Sequence, residues 1–123
     1  MAVRHLYVHV PFCAVPCPYC HFSKDALSRA AVERYLAGME SEATRRAPLA
    51  QDTAFTSVFF GGGTPSALAP WAFARLWDTI TRHFAIAKGA EITLEANPET
   101  VKSGLLDAWA AAGVNRLSMG VQS

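Results

Sequence analysis

Long apolar runs and a strong charge bias are both missing from this sequence. Only 17% of its 123 residues are charged, and the formal net charge is +1. No stretch approaches the roughly 18 uninterrupted apolar residues that a membrane-spanning helix needs. Basic residues are scattered, and the one basic doublet, Arg45-Arg46, fits a solvated helix end better than a nucleic-acid partner. We therefore expect neither membrane insertion nor nucleic-acid binding.

A secretory signal and a disulfide framework are missing as well. Residues 1–10 have no charged region followed by an apolar core and a small-residue cleavage site, so we expect a cytoplasmic protein. Cysteine is scarce: the chain has three, and all of them lie between residues 13 and 20. An odd number so closely spaced is a poor set for disulfides. In a reducing compartment such a cluster more often binds a metal or carries out redox chemistry.

The apolar residues follow two periods that alternate along the chain. Segments of period two predict four strands, at residues 4–10, 56–60, 91–97 and 115–121. Segments of helical period predict three helices, at about 28–47, at 70–84 and from residue 100 or 103 to 113. Pro48 is expected to stop the first helix, Pro70 to open the second and Gly113 to cap the third. Strands separated by single helices predict βαβ units with a parallel sheet, hence an α/β fold of about three and a half units.

The two faces of the predicted strands differ in polarity. One face is apolar in the first, third and fourth strands, with Leu6, Val8, Val10, Ile92, Leu94, Ala96, Leu117, Met119 and Val121. The opposite face is mostly polar, with Tyr7, His9, Thr93, Glu95, Asn97, Ser118, Gly120 and Gln122. In a (β/α) barrel one face packs under the helices and the other faces the lumen, with the active site at the carboxyl ends of the strands. So polar a lumen favours a bound ligand.

Cys13, Cys17 and Cys20 have the spacing C-x3-C-x2-C and directly follow the first strand. Three thiolates on one short loop can hold three irons of a cubane cluster and leave the fourth iron open to a small molecule. Two alternatives stay open: structural zinc with His21 or His9 as the fourth ligand, and inert buried thiols. The spacing, without a second pair of ligands, favours the iron–sulfur cluster over zinc.

Five segments stand in order along the chain: YVHVPFC at 7–13, PYCHF at 18–22, FGGGTPS at 60–66, EANPET at 95–100 and GVNRLSMGVQS at 113–123. Together they resemble the radical S-adenosylmethionine (SAM) superfamily, and within it the oxygen-independent coproporphyrinogen III oxidase family with its haem chaperone branch. The resemblance implies a [4Fe–4S] cluster on Cys13, Cys17 and Cys20, whose open iron chelates the methionine part of SAM. In that family the reduced cluster cleaves the S–C5′ bond of SAM and so generates a radical that abstracts hydrogen.

The same resemblance implies which residues contact SAM. They are Tyr7, Tyr19, Gly62, Gly63, Thr64, Glu95 and Gln122. The glycine-rich turn would meet the methionine moiety, and Glu95 would accept hydrogen bonds from the amine or the ribose. Each has a plainer interpretation, such as an ordinary βα turn, a core tyrosine, a surface glutamate or a frayed chain end. No ligand role is expected for His9 or His21.

Two departures from the family bear on activity. The oxidases carry a further cysteine two positions beyond the third ligand, where this chain has Phe22, as in the haem chaperone branch. The expected activity is therefore either oxidative decarboxylation of coproporphyrinogen to protoporphyrinogen IX or haem binding and transfer. An electron donor protein and a porphyrinogen or haem would be its partners. The family barrel has six βα units, so residues 1–123 are expected to be a truncated N-terminal part of the radical SAM core domain, inactive and prone to aggregate alone.

Overall fold

A computed structural model describes residues 4–12, 29–63, 65, 68–96 and 103–119. These residues form four strands, β1 (His5–Val10), β2 (Ala54–Gly62), β3 (Ala85–Ala96) and β4 (Arg116–Met119). They also form three α-helices, α1 (Arg29–Arg46), α2 (Pro70–His83) and α3 (Ser103–Ala112). All the strand pairs are parallel, and the strands are arranged in chain order, β1-β2-β3-β4. The predicted α/β fold with a parallel sheet is confirmed, and the consecutive strand order is that of an open part of a (β/α) barrel.

The hydrophobic core lies between the helices and one face of the sheet. Its buried members include Val8, Val10, Val58, Phe60, Ile92 and Leu94 from the strands and Val32, Leu36, Phe73, Leu76, Ile80 and Trp109 from the helices. Phe60 is central to it, since its ring centroid lies 5.3 Å from that of Phe73 and 6.1 Å from that of Trp77. The apolar face predicted for the first and third strands is thus the one under the helices. Leu117, on the same face of β4, is 36% exposed, since no described strand lies beyond β4.

The strands β2 and β3 are both longer than the sequence pattern predicts. Ala54 and Phe55 pair with Ala85 and Ile86, after which the register shifts and Ser57 pairs with Glu91. Residues 87–90 therefore form an excursion in β3, and it contains Gly89 at φ +80°. This excursion interrupts the alternation of apolar and polar residues, which explains why the pattern predicts only the second half of the strand. Helix α2 correspondingly ends at His83 rather than at residue 84.

The helices begin and end near the proline and glycine residues predicted to bound them. Helix α1 ends at Arg46, and the chain continues as a short 3-10 helix, Ala47–Ala50, with Pro48 in its first turn. Pro70 opens α2 as predicted. After α3 the Gly113 residue has φ +103°, and its N–H donates to the Ala110 carbonyl at 3.0 Å, while the Val114 N–H donates to the Trp109 carbonyl at 2.9 Å. This pair of bonds is the Schellman motif, and it confirms Gly113 as the helix cap.

Asn115 connects this cap to the sheet with three hydrogen bonds. Its backbone N–H donates to the Ile92 carbonyl at 3.0 Å, and its Oδ1 accepts the Ile92 N–H at 2.9 Å. Its Nδ2 donates to the Ala90 carbonyl, also at 2.9 Å. The side chain therefore takes the place of a strand partner just before the pairing of β4 begins at Arg116.

We expect the Asn115→Ala substitution to lower the free energy of unfolding by about 1–3 kcal/mol, because it leaves a part-buried N–H and carbonyl without partners. Asn115→Asp should do no better at neutral pH, since it sets a carboxylate oxygen against the Ala90 carbonyl. The matched control is Arg116→Ala, which removes only an exposed ion pair to Glu91 and should change stability by about 1 kcal/mol or less. Urea denaturation measures all three variants, and equal losses at the two positions would contradict this role.

Candidate functional site

Polar and aromatic side chains gather on the face of the sheet opposite the helices, at the carboxyl ends of three neighbouring strands. Side chains alternate between faces along a strand, so odd-numbered residues of β1 share this face with their partners in β2. The register pairs Tyr7 with Phe59 and His9 with Gly61. Glu95 reaches the same place from β3, where it is half-buried. Tyr7 is 56% exposed, so the cluster is open to a ligand.

Gly61 occupies the middle of this cluster and has no room for a side chain. A Cβ atom built there would lie 2.8 Å from Oε1 of Glu95 and 2.9 Å from the Tyr7 hydroxyl oxygen. It would also lie 2.9 Å from Cε1 of Phe59. The missing side chain thus allows side chains from three strands to converge on one point.

Gly62 is restricted even more, both by backbone and by the His9 ring, which lies 2.9 Å from a Cβ built there. Its φ of +120° is a conformation that residues with a Cβ rarely adopt, and a Cβ would lie 2.6 Å from the Val10 carbonyl oxygen. Its N–H donates to Oε1 of Glu95 at 3.0 Å. The next N–H, of Gly63, donates to the Val10 carbonyl at 2.8 Å. The glycine-rich turn is therefore held from β1 and from β3 at once.

Aromatic rings form one wall of the cluster. The ring of Tyr7 stacks on that of Phe59, with centroids 6.0 Å apart and planes inclined by 14°. A hydrogen bond of 3.3 Å joins the Tyr7 hydroxyl to Nδ1 of His9. Sequence reasoning placed His9 on this face but gave it no ligand role, and it missed Phe59. In β2 three consecutive apolar residues hide the alternation that would have shown which face Phe59 occupies.

A cavity of about 300 Å³ lies along β1 and the second halves of α1 and α2, and Tyr7 and His9 of the cluster also line it. Its apolar lining includes Leu6, Met39 and Phe84. Two of its charged residues, Glu42 and Arg46, pair with each other at 2.6 Å. They therefore offer no free charge to a ligand, and the face with the glycine-rich turn is the better candidate site.

Of the residues predicted from the sequence, Tyr7, Gly62, Gly63 and Glu95 lie together in the structure. The remainder, Cys13, Cys17, Cys20, Tyr19, Thr64 and Gln122, lie outside the described residues. Within the described part, no group of three or more His, Cys, Asp or Glu side chains is placed to hold a metal ion. In that same part, every helix is too short or too polar to cross a membrane.

The class of protein follows from comparison of the chain with known families. The sequence model of the radical SAM superfamily matches residues 7–123. The chain therefore belongs to the radical SAM superfamily, and the resemblance found in the sequence is confirmed.

Within the superfamily, the chain is similar to particular proteins. The chain is 40% identical over 119 residues to the heme chaperone HemW of Escherichia coli K12, with 96% of this chain and 32% of that protein covered. It is also 40% identical over 118 residues to the mitochondrial radical S-adenosyl methionine domain-containing protein 1 of Danio rerio, covering 96% of this chain and 27% of the relative. The solved structure of coproporphyrinogen III oxidase (HemN) from Escherichia coli superposes with a TM-score of 0.83 at 34% identity, covering 96% of this chain and 27% of that one. The chain thus spans about a third of these relatives' length or less.

Proposed function

We propose that the chain is part of a radical SAM protein of porphyrin or haem metabolism. Its Cys13, Cys17 and Cys20 would hold a [4Fe–4S] cluster. Residues 1–123 would form the N-terminal part of the core domain. The observation that supports the proposal most is the convergence of Tyr7, the glycine-rich turn and Glu95 at the ends of three adjacent strands. These are residues that the family resemblance assigns to SAM.

The chemistry of the described residues fits the methionine part of SAM. The N–H groups of Gly62 and Gly63 are both used inside the protein, so these two exposed glycines would meet a ligand with carbonyl oxygens rather than with donors. Glu95 adds a carboxylate beside that turn. Carbonyl and carboxylate oxygens accept hydrogen bonds from an ammonium group, and the stacked rings of Tyr7 and Phe59 provide an apolar wall beside it.

The cysteines would complete the site as soft thiolate donors, which iron–sulfur clusters require. When bound, the reduced cluster and SAM together supply a radical that abstracts hydrogen from a substrate. The protein's part is to hold the two cofactors in contact and to keep water away. Thr64, Tyr19 and Gln122 would add the remaining contacts to SAM from this chain.

We expect anaerobic reconstitution to load about four iron and four sulfide per chain, with broad absorbance near ~400 nm, as for thiolate-ligated clusters. Cys17→Ala should lose most of this iron because one cluster corner loses its ligand. The control is His21→Ala, which should keep full iron and sulfide. Stoichiometric zinc without acid-labile sulfide, with loss of the metal in His21→Ala, would contradict the cluster and support the zinc alternative.

The choice between an oxidase and a haem chaperone concerns the substrate, not the cluster. Phe22 stands where the oxidases carry a further cysteine, and this favours haem binding and transfer. The fold, by contrast, superposes on an oxidase. Assaying the complete gene product for coproporphyrinogen decarboxylation and for haem transfer separates the two activities. An electron donor protein and a cytoplasmic location belong to the proposal, and a fluorescent fusion tests the latter against the mitochondrial location of the Danio rerio relative.

A further inference from the structure

Tyr35, on α1, contacts the end of β1 at two points. Its hydroxyl donates to the His9 carbonyl at 2.6 Å. Its ring meets the ring of Phe12 edge-on, with centroids 5.3 Å apart and planes at 81°. Phe12 is buried and immediately precedes Cys13 in the chain. One side chain therefore holds the last described residues before the cysteine segment.

Among the described strands, none offers an N–H donor to the His9 carbonyl. Strand β1 lies at an edge of the described sheet and pairs only with β2. Carbonyls alternate in direction along a strand, and those of Arg4 and Val10 accept N–H groups from the side of β2. The His9 carbonyl accordingly faces the free edge, where the Tyr35 hydroxyl supplies the missing donor. Burial raises the pKa of the Tyr35 phenol, so the donor proton is retained throughout the neutral range.

The residue held in this way also belongs to the candidate site. The His9 side chain is hydrogen-bonded to Tyr7, and its ring fills the space where a side chain at Gly62 would lie. The next carbonyl, of Val10, holds the Gly63 N–H. A rotation of the His9 peptide would therefore disturb the aromatic wall and the glycine-rich turn together.

We propose that Tyr35 is a positioning residue, which fixes the direction in which the chain leaves β1 at Phe12, the residue before Cys13, relative to the glycine-rich turn. The inference rests on the proposed function, since this direction matters only if the cysteines carry the cluster and the turn binds SAM. Tyr35 would contact neither the cluster nor SAM, because it acts through His9 and Phe12.

The test is Tyr35→Phe in the complete gene product, a change that keeps the ring on Phe12 and removes only the hydroxyl. In the metal-free protein we expect amide hydrogen exchange at Val10 and Phe12 to become roughly 3- to 10-fold faster, the range for losing one hydrogen bond. In the reconstituted protein we expect unchanged iron content, a roughly 3- to 10-fold higher Kd for SAM, and a changed electron paramagnetic resonance spectrum of the reduced cluster with SAM.

Thr81→Val is the matched control. It also deletes a hydroxyl that donates to a backbone carbonyl, that of Trp77 at 3.0 Å, on the outer surface of α2. It should leave the exchange rates, the Kd for SAM and the spectrum unchanged. A wild-type protein that takes up no cluster would overturn the proposed function and this inference with it. A wild-type protein that binds both cofactors, with Tyr35→Phe indistinguishable from it, would overturn the inference alone.

Discussion

Replacing Gly62 with alanine is expected to lower the free energy of unfolding by about 1.5–4.5 kcal/mol. Two effects add at this position. The backbone has φ +120°, and such a conformation costs a residue with a Cβ about 1–3 kcal/mol. The new Cβ would also lie 2.6 Å from the Val10 carbonyl oxygen. That oxygen accepts the Gly63 N–H, so it cannot move away without weakening the bond, which contributes about 0.5–1.5 kcal/mol.

Three other glycines in the chain separate these effects. Gly89 also has a positive φ, of +80°, but a Cβ there would meet nothing within 4 Å, so Gly89→Ala measures the backbone strain alone. Gly38 lies within α1 with open space around it, and Gly38→Ala should stabilise the protein by about 0.5–1 kcal/mol. Gly61→Ala clashes only with side-chain ends, so its loss should be smaller than that of Gly62→Ala.

Urea denaturation of the metal-free complete gene product measures the whole series. The expected order of stability is Gly38→Ala, wild type, then Gly89→Ala and Gly61→Ala, with Gly62→Ala least stable. Equal losses for Gly62→Ala and Gly89→Ala would mean that the turn moves freely away from Val10. The glycine-rich turn would then not be held as the structure indicates.

The sequence predicted the elements whose local pattern is regular. The predicted segments located the four described strands, three of them by clear alternation, and the helix ends followed from Pro70 and Gly113, because a proline or a glycine acts on its own few residues. The pattern did not predict the first half of β3, because Gly89 and its neighbours interrupt the alternation of apolar and polar residues that indicates a strand. The periodicity of a sequence reflects the conformation of neighbouring residues only. The excursion in β3, by contrast, depends on how β3 pairs with β2.

The residues of the candidate site also fall into those that the sequence predicts and those that only the structure shows. Tyr7, the glycine-rich turn and Glu95 were found from the family resemblance together with the parity of the strands. The contact of Tyr35 with His9 was not found, because it joins residues 26 positions apart through one hydroxyl on a helix. In the sequence Tyr35 reads only as an apolar position of α1. The role proposed for Tyr35 depends on β1 lying at an edge of the described sheet, which is a property of the topology.

A substitution at Glu95 is expected to change the affinity for SAM without changing the stability of the fold. Its Oε1 accepts the Gly62 N–H at 3.0 Å, and its carboxylate charge lies beside the turn proposed to meet SAM. Glu95→Gln keeps an oxygen acceptor for that N–H but removes the charge. We therefore expect its free energy of unfolding to stay within about 1 kcal/mol of wild type, while SAM binding weakens by about 1–3 kcal/mol, or roughly 5- to 150-fold in Kd.

Two further variants complete this experiment, which uses the reconstituted complete gene product and a SAM titration beside a thermal melt. Glu95→Ala removes the acceptor as well as the charge, so it should lose both stability and SAM affinity. Glu91→Gln is the matched control, since Glu91 lies on the same strand but pairs with Arg116 at 3.0 Å, away from the turn. It should bind SAM as the wild type does. An unchanged Kd for SAM in Glu95→Gln, together with a large fall in Tm, would show that Glu95 serves the fold and not the ligand.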